Sequence, residues 1–488
     1  MVRGMDDKDV FLNYAYTDSE LFIGLVGAVG TKHRQIAEIL KERLRAYNYN
    51  VVEISISGDI LFELYSIQHS NEFERIKGYM DAGNFIRQST NDNSILALGV
   101  ASEISRIRDK GKPKGRTAYI INSLKHPKEA ERLRELYSEG FYLLGIHSDE
   151  QRRLEYLTEN ARMSKKEAME LIERDLSEEE GHGQQTRDTF QMSDFFIHLE
   201  ANRDKVERSI WRVLDLIFGH PYLTPTFDEY AMFMAFTSAL RSSDLSRQVG
   251  AVIAKNQEII ASGANDCPQA GGGLYWPYFS TDTNSIEDIP QGRDYTKGED
   301  PNRRGQMEII DNISQLLGLS ECEKRKLMDS KICDITEYGR VVHAEMEAIL
   351  MCARNKISTR NAKLYCTTFP CHNCAKHIIA AGIKEVIYIE PYPKSRAFEL
   401  HGDAISSDPP ATHNKKVIFR PFVGVGPRRF FDLFSMTANF GLNKKRKDKL
   451  GKVVNWKPET SNMRIQLMPH SYLDKESLAT KLFKEKLS

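Results

Sequence analysis

A histidine, a glutamate and two cysteines lie close together in the last third of the sequence, with the residue types and spacing of a metal site. His343 and Glu345 stand in VVHAEMEAIL, and Cys371 and Cys374 stand in FPCHNC. Two thiolates and one imidazole can hold zinc and leave its fourth position for water, which is the arrangement of a catalytic site. A carboxylate two residues from the histidine is placed to carry a proton of that water. The alternative is that the thiols pack in a core and the histidine bonds a carbonyl group.

Both motifs are predicted to open helices at the same end of a sheet. The order along the chain is a helix from HAEMEAILMCARN, a strand from AKLYCTTF, a helix from HNCAKHIIAAG and a strand from KEVIYIE. A helix N-terminus carries partial positive charge, which lowers the pKa of a thiol and favours the thiolate that zinc requires. In this context, H-x-E followed by P-C-x-x-C matches the signature of zinc deaminases, in which activated water displaces an amine from a base.

Composition sets limits on the partners of the chain. Lys+Arg and Asp+Glu balance at 68 each, so no global field attracts nucleic acid or a membrane. The longest apolar run, LFIGLVGAVG, is too short to span a bilayer, and the acidic first twenty residues do not resemble a signal peptide. The seven cysteines all lie between 267 and 374, which suits a metal site in a reducing compartment better than a disulfide framework. We therefore predict a cytoplasmic α/β protein with no membrane partner.

The two halves of the chain have different patterns. In the first half, strand patterns such as LFIGLV alternate with helical patterns such as RQIAEILKERLRAY, which predicts a parallel sheet covered on both faces. A charged helical stretch, 161–188, follows. Two prolines in HPYLTPTFDEY indicate a boundary, so we predict domains at 1–220 and 221–488. The second domain is expected to contain an insertion at about 269–340 and a C-terminal extension with the basic run 443–452.

The span from about 225 to 435 resembles the deoxycytidylate deaminases. The resemblance rests on RSSDLSRQVGAVIA, SGAN, HAEMEAI and FPCHNCAKHIIAAGIKEVIYIE. It implies a cytidine-deaminase-like α/β/α domain in which His343, Cys371 and Cys374 bind Zn²⁺. Glu345 is then the proton donor, and Asn265 hydrogen-bonds the sugar of a deoxycytidine nucleotide.

The first half resembles the P-loop nucleotide monophosphate kinases, through IGLVGAVGTK and HGQQTRDTFQMSDFFI among other segments. The loop departs from a Walker A motif, because Val26 and Thr31 stand where that motif has glycines. Its glycines can still let backbone N–H groups approach the phosphates of a nucleotide, ATP or a dNTP. The candidate residues are Gly24, Gly27, Gly30, Thr31 and Lys32. The alternatives are that the glycines form a turn that only connects the strand to the helix, and that Lys32 is an ordinary solvated lysine.

A P-loop kinase-like half fused to a deaminase half resembles the bacterial antiphage dCTP deaminases. This resemblance implies zinc-dependent deamination of dCTP and dCMP, regulation by the first half, and depletion of dCTP during infection. Arg428 and Arg429 are then candidates to hold phosphates, with a solvated pair as the alternative. A homo-oligomer, with a hexamer as the specific expectation, is also implied. The basic run 443–452 is either a solvated loop or a contact for a small regulatory RNA.

Two other functions compete with this one. The first is a bifunctional enzyme of pyrimidine metabolism, in which a nucleotide kinase is joined to a dCMP deaminase. The departure of the loop from a Walker A motif counts against this function. The second is a nucleic-acid cytosine deaminase that acts on a flipped base. The balanced charge and the absence of an aromatic and basic stretch count against the latter.

Overall fold

The computed structural model describes residues 18–108, 112–176, 182–199, 202–392, 395–407, 416–437, 441–467 and 469–487. The polar start of the chain, used above against a signal peptide, therefore lies largely outside the described residues. Among the described residues, no helix combines the length and the apolar character needed to cross a membrane.

The secondary structure alternates between strands and helices through most of the chain. The strands are β1 (Leu21–Gly27), β2 (Asn50–Ser55), β3 (Thr117–Asn122), β4 (Phe141–His147), β5 (Phe195–His198), β6 (Gly250–Lys255), β7 (Glu258–Ala264), β8 (Tyr278–Ser280), β9 (Ser285–Glu287), β10 (Lys363–Thr368), β11 (Glu385–Glu390), β12 (Ile405–Ser406), β13 (Val417–Pro421) and β14 (Gly424–Val425). The α-helices are α1 (His33–Ala46), α2 (Phe62–Tyr65), α3 (Glu72–Ser89), α4 (Ile95–Ile107), α5 (Pro127–Tyr137), α6 (Glu150–Glu155), α7 (Lys165–Leu176), α8 (Thr186–Gln191), α9 (Arg203–Ile217), α10 (Phe227–Ala239), α11 (Asp294–Lys297), α12 (Pro301–Leu317), α13 (Glu321–Met328), α14 (Ala344–Arg354), α15 (His372–Ala380), α16 (Ala397–His401), α17 (Phe430–Phe434) and α18 (Pro469–Leu487).

The first sheet has the strand order β14-β5-β4-β1-β3-β2. Its five longer strands run parallel, and only β14 is antiparallel to its neighbour β5. Central strand β1 is buried along its whole length, with Ile23 and Leu25 in one core and Phe22 and Val26 in another. Alternate side chains of a strand point to opposite faces, so one apolar run supplies both cores. The predicted parallel sheet with covered faces is confirmed.

The second sheet has the order β12-β13-β11-β10-β6-β7 and is mixed. Strands β10, β11, β13 and β12 are parallel, whereas β6 is antiparallel to both β10 and β7. The core on this sheet includes Ala344 and Ala348 of α14 and Ala375 and Ile378 of α15. The two helices that follow the zinc-type motifs therefore pack on this sheet, as the sequence predicts for an α/β domain.

The division of the chain differs from the predicted one at its C-terminal end. Contacts group residues 1–225 with 423–488 as unit 1, and 226–422 as unit 2. The prediction placed everything after 220, including the basic extension, in the second domain. The physical reason is that β14 adds to the edge of the first sheet, and Met463, Leu467 and Tyr472 are buried in the cores of unit 1. The predicted insertion, 269–340, lies within unit 2 and contains β8, β9 and α11 to α13.

Candidate active site and the glycine loop

Three predicted zinc ligands of unit 2 meet at the beginnings of two helices. His343 is the N-cap residue of α14 and Cys371 is the N-cap residue of α15, with Cys374 in the first turn of the latter. The His343 Nδ1 atom lies 3.4 Å from Cys371 Sγ and 3.3 Å from Cys374 Sγ, and all three donor atoms lie within 4.8 Å of one another. Tetrahedral zinc with usual bond lengths separates nitrogen and sulfur ligands by about 3.5 Å. The donor set therefore fits a zinc ion.

The electrostatics at Cys371 favour a thiolate. Its pKa is lowered to about 3, first by the hydrogen bond with the Cys374 thiol and then by the hydrogen bond with His343. Cys371 Sγ also accepts the backbone N–H of Cys374 at 3.4 Å, as an N-cap side chain does. The same hydrogen bond with Cys371 raises the pKa of His343. The backbone N–H of Cys374 at the helix N-terminus adds a smaller contribution that also lowers the pKa of Cys371.

Glu345 is a buried carboxyl group beside these ligands. It is the second residue of α14, and only 4% of it is exposed. Burial raises the pKa of Glu345, so this carboxyl group takes up a proton more readily than a solvated one. A buried carboxyl with a raised pKa, next to a donor set for zinc, can accept a proton and return it within one reaction cycle.

A cavity of about 620 Å³ opens over the site, and its lining includes His343, Cys371 and Glu345. Arg247, Lys331 and Arg396 also line it and supply positive charge. The Arg247 guanidinium lies 4.6 Å from the centre of the Tyr392 ring, which holds that side chain at the cavity wall. The motifs used in the sequence analysis did not identify these three cations, because a basic side chain in a loop has no distinctive spacing.

Asn265 is placed in the cavity wall, but its amide is partly used by the protein. Its Oδ1 accepts the backbone N–H of Val249 at 2.6 Å, and its Nδ2 donates to the Arg247 carbonyl at 2.8 Å. An amide has two N–H groups, so one donor is left for a ligand. These bonds fix the orientation of the side chain, and contact with a sugar remains a prediction.

Comparisons with known proteins match the part of the chain that carries this site. Residues 225–390 match the family model described as the cytidine and deoxycytidylate deaminase zinc-binding region. Unit 2 carries a deoxycytidylate deaminase-type zinc-binding domain. The match places His343, Cys371 and Cys374 inside a region that is similar to the zinc-binding part of these hydrolytic deaminases.

Relatives match stretches of about the same length. The deoxycytidylate deaminase of Enterobacteria phage T4 is 29% identical over 165 residues, which are 33% of this chain and 77% of that protein. The deoxycytidylate deaminase of Mus musculus is 30% identical over 162 residues, 33% of this chain and 63% of that protein. A solved dCMP deaminase from the cyanophage S-TIM5 covers 41% of this chain at 20% identity, with a TM-score of 0.23 that is too low to add to the assignment.

The predicted phosphate-binding arginines lie outside the deaminase domain, and Arg429 is committed elsewhere. Arg429 belongs to unit 1 and is 4% exposed. Its guanidinium donates to the Phe141 carbonyl at 2.8 Å and to Asp194 at 3.3 Å, and it also pairs with Glu139 and Asp432. The structure corrects the prediction for Arg429, because its donors already satisfy buried acceptors of unit 1. Arg428 is exposed, and a role for it stays a prediction.

We expect Arg429→Ala to lower the free energy of unfolding by about 1.5–3 kcal/mol, because buried Asp194 loses one charged partner but keeps Arg134 and the Leu143 N–H. The shift of the urea unfolding transition measures this loss. The neighbouring Arg428→Ala is the matched control and should change stability by less than about 0.5 kcal/mol. Equal effects of the two variants would contradict the assignment of Arg429 to the core.

The glycine loop of unit 1 follows β1 and leads into α1. Gly30 has a φ of +83°, which explains the glycine at that position. Gly30 and Thr31 line a cavity of about 240 Å³ in unit 1. Lys32 is exposed, with its ammonium 5.4 Å from the centre of the Tyr156 ring. Nucleotide binding by Gly27, Gly30, Thr31 and Lys32 stays a prediction.

Gly24 has a packing role. It lies in the buried strand β1, and a Cβ atom there would be 2.6 Å from a methyl group of Leu124 and 2.8 Å from the Phe141 ring. A glycine inside a strand allows such close approach of neighbouring side chains. The prediction that Gly24 contacts phosphate is wrong, since it is enclosed by apolar side chains.

The loop already has an anionic partner that the sequence analysis missed. Asp175, at the end of α7, is fully buried, and its Oδ2 accepts the backbone N–H of Val29 at 2.7 Å. Its Oδ1 accepts from Lys125 Nζ at 2.9 Å and from the Thr186 hydroxyl at 3.1 Å. Lys125 Nζ also donates to the Gly27 carbonyl. A carboxylate of the protein therefore occupies one loop N–H of the kind that a phosphate would use.

Proposed function

We propose that unit 2 deaminates a deoxycytidine nucleotide, dCTP and also dCMP, to the deoxyuridine nucleotide and ammonia. The observation that carries the proposal is buried Glu345 beside the donor set of His343, Cys371 and Cys374, with Glu345, His343 and Cys371 in the wall of one cavity. His343, Cys371 and Cys374 would hold a zinc ion, which would supply an activated water for attack on the amine-bearing carbon of the base. Glu345 takes a proton from that water and passes it to the leaving amine. The exclusion of bulk water by burial of Glu345 keeps this transfer within the site.

The cavity wall carries both signs of charge, with carboxylates at Asp244, Asp294, Asp300, Glu337 and Glu399, and a triphosphate substrate is supported only by the three cations of that wall. Arg247, Lys331 and Arg396 line the cavity together with His343 and Cys371. More than one phosphate group of a substrate can therefore pair with a cation. Arg396 is also held by Glu399, to which its Nε donates at 2.8 Å. The role in antiphage depletion of dCTP and the hexameric assembly rest on resemblance, whereas the cytoplasmic location rests on the composition and cysteine pattern of the sequence. Light scattering of the purified chain tests the assembly.

We also propose that unit 1 binds a nucleotide for regulation and does not transfer phosphate at a useful rate. The absence of phosphate transfer is supported by the departure from Walker A at Val26 and Thr31. The bond from the Val29 N–H to Asp175 supports it too, because this N–H is already occupied. The basic run 443–452 belongs to unit 1 and is mostly exposed, so a small RNA remains the proposed partner there.

The test is to incubate the purified, zinc-loaded chain with dCMP, dCTP, CMP, CTP and single-stranded DNA, and to measure ammonia and uracil products. We expect release of ammonia from dCTP and dCMP, with little from DNA. Activity on DNA alone would contradict the proposal and favour a nucleic-acid deaminase. A parallel assay with ATP and dCMP detects dCDP, and rapid formation of dCDP would favour the bifunctional kinase.

A further inference from the structure

Two histidines and an aspartate of unit 1 form a second cluster of metal-binding side chains. His147 ends β4 and His198 ends β5, and the two residues are paired in the register of these parallel strands. Asp149 follows two residues after His147. The carboxyl ends of parallel strands are the edge at which open α/β sheets bind ligands. The topology therefore brings three possible ligands to that edge.

The distances within the cluster fit ligands around one ion, and without an ion the Asp149 carboxylate pairs with both imidazoles. The Asp149 Oδ1 atom lies 3.5 Å from His147 Nε2 and 3.4 Å from His198 Nε2, and all three donor atoms lie within 4.8 Å of one another. N–H···O hydrogen bonds are usually about 2.7–3.2 Å long. Tetrahedral zinc separates imidazole nitrogen and carboxylate oxygen by about 3.4 Å. One carboxylate oxygen thus faces two imidazole nitrogens at the spacing of ligands around one ion.

The surroundings of the cluster leave room for such an ion. The side chains are 33% (His147), 37% (Asp149) and 28% (His198) exposed, so an ion held by three ligands can be reached by a further ligand from solvent. The nearest cation is Arg152, whose Nε lies 3.4 Å from Oδ2 of Asp149. Arg152 therefore approaches the other carboxylate oxygen, and Oδ1 still faces the histidines.

We propose that His147, Asp149 and His198 bind a divalent transition-metal ion of the zinc class. Two imidazoles and one carboxylate are ligands for zinc and its neighbours, whereas magnesium and calcium prefer oxygen ligands only. Ile146, the residue before His147, is level with Gly27 of the glycine loop in the register of β1 and β4. The open position of the ion thus lies at the sheet edge that carries the loop, where an anionic group such as a phosphate can complete the coordination. This site is independent of the deaminase centre.

The experiment counts zinc in the full chain after saturation with Zn²⁺ and removal of excess ion. We expect two zinc ions per wild-type chain and one in His198→Gln, which removes an imidazole of unit 1 only. Cys371→Ala should also retain one, and the double variant should retain neither. His69→Gln changes an exposed histidine outside the cluster and should keep two. One zinc ion in the wild type, or two in His198→Gln, overturns the proposal.

A second measurement separates metal binding from misfolding. Cys371→Ala is titrated with Zn²⁺ by calorimetry, with and without Asp149→Asn, which preserves the size of the side chain. We expect at least tenfold weaker binding with Asp149→Asn, and unchanged circular dichroism in the presence of a chelator. Equal affinities in the two proteins would overturn the proposal. Deamination by His198→Gln, assayed in parallel, shows whether the deaminase proposal fails separately.

Discussion

Glu345→Gln is expected to lower the rate of deamination by about 10²–10⁴-fold while the deaminase domain keeps its zinc. The substitution preserves the size of a buried side chain and removes only its ability to carry a proton. Glu345 is not among the three donors that meet at the helix N-termini, so the metal content should not change. Initial rates of ammonia release and zinc per chain, measured on one preparation, test both parts.

Glu347→Gln is the matched control for this prediction. Glu347 lies on the same helix and is also buried, but its carboxylate pairs with Arg354 at 2.5 Å. We expect the folded Glu347→Gln enzyme to retain a rate within a few-fold of the wild type. A Glu345→Gln rate near that of the wild type, or loss of zinc from that variant, would refute the proton-carrying role.

Cys371→Ala is expected to remove the zinc of the deaminase domain and to lower activity by at least about 10³-fold. The variant takes away one of three protein ligands and the acceptor of the Cys374 N–H at the start of α15. Loss of metal removes the activation of water, which contributes several kcal/mol to catalysis. Elemental analysis and the deaminase assay give the result.

Cys352→Ala provides the comparison, since Cys352 is a fully buried thiol of α14 in the core of unit 2. It should lose stability by a smaller packing effect and keep its zinc. Full zinc content in Cys371→Ala, or equal loss in both variants, would contradict the assignment of the ligands.

The centre of the deaminase domain was predictable because its signals are local. H-x-E and C-x-x-C each occupy the start of one helix, so the residue types and the helix boundary stand in the same few positions. The stripe of Ile36, Ile39, Leu40 and Leu44 on α1 is a similar case, since burial follows helical spacing. In these elements the local sequence pattern agrees with the tertiary packing.

The parts that could not be predicted depend on contacts distant in sequence. Strand β14 has two residues and no pattern of its own, and its position follows from pairing with β5. The sequence around Arg429 predicts a surface residue. Only the folding of the first sheet places Asp194 and Glu139 next to its guanidinium. Gly24 stands inside the predicted strand LFIGLV, but the close packing that excludes a ligand from it depends on Leu124 and Phe141, which are distant in sequence. Asp175 stands in a charged helical stretch in which a solvated carboxylate is the usual expectation.

The bond between Asp175 and Val29 makes anion binding at the glycine loop a competition. The carboxylate is tethered to the same chain, so it is present at a high effective concentration that no dilution reduces. A ligand that needs the Val29 N–H binds only to the fraction of molecules in which Asp175 has moved away, and its apparent affinity falls by that fraction. Free phosphate makes few contacts, so competition with the Asp175 carboxylate lowers its apparent affinity strongly. If the loop binds anions as proposed, a nucleotide that also contacts other loop groups compensates for the displacement better than free phosphate does, so the competition favours larger anions.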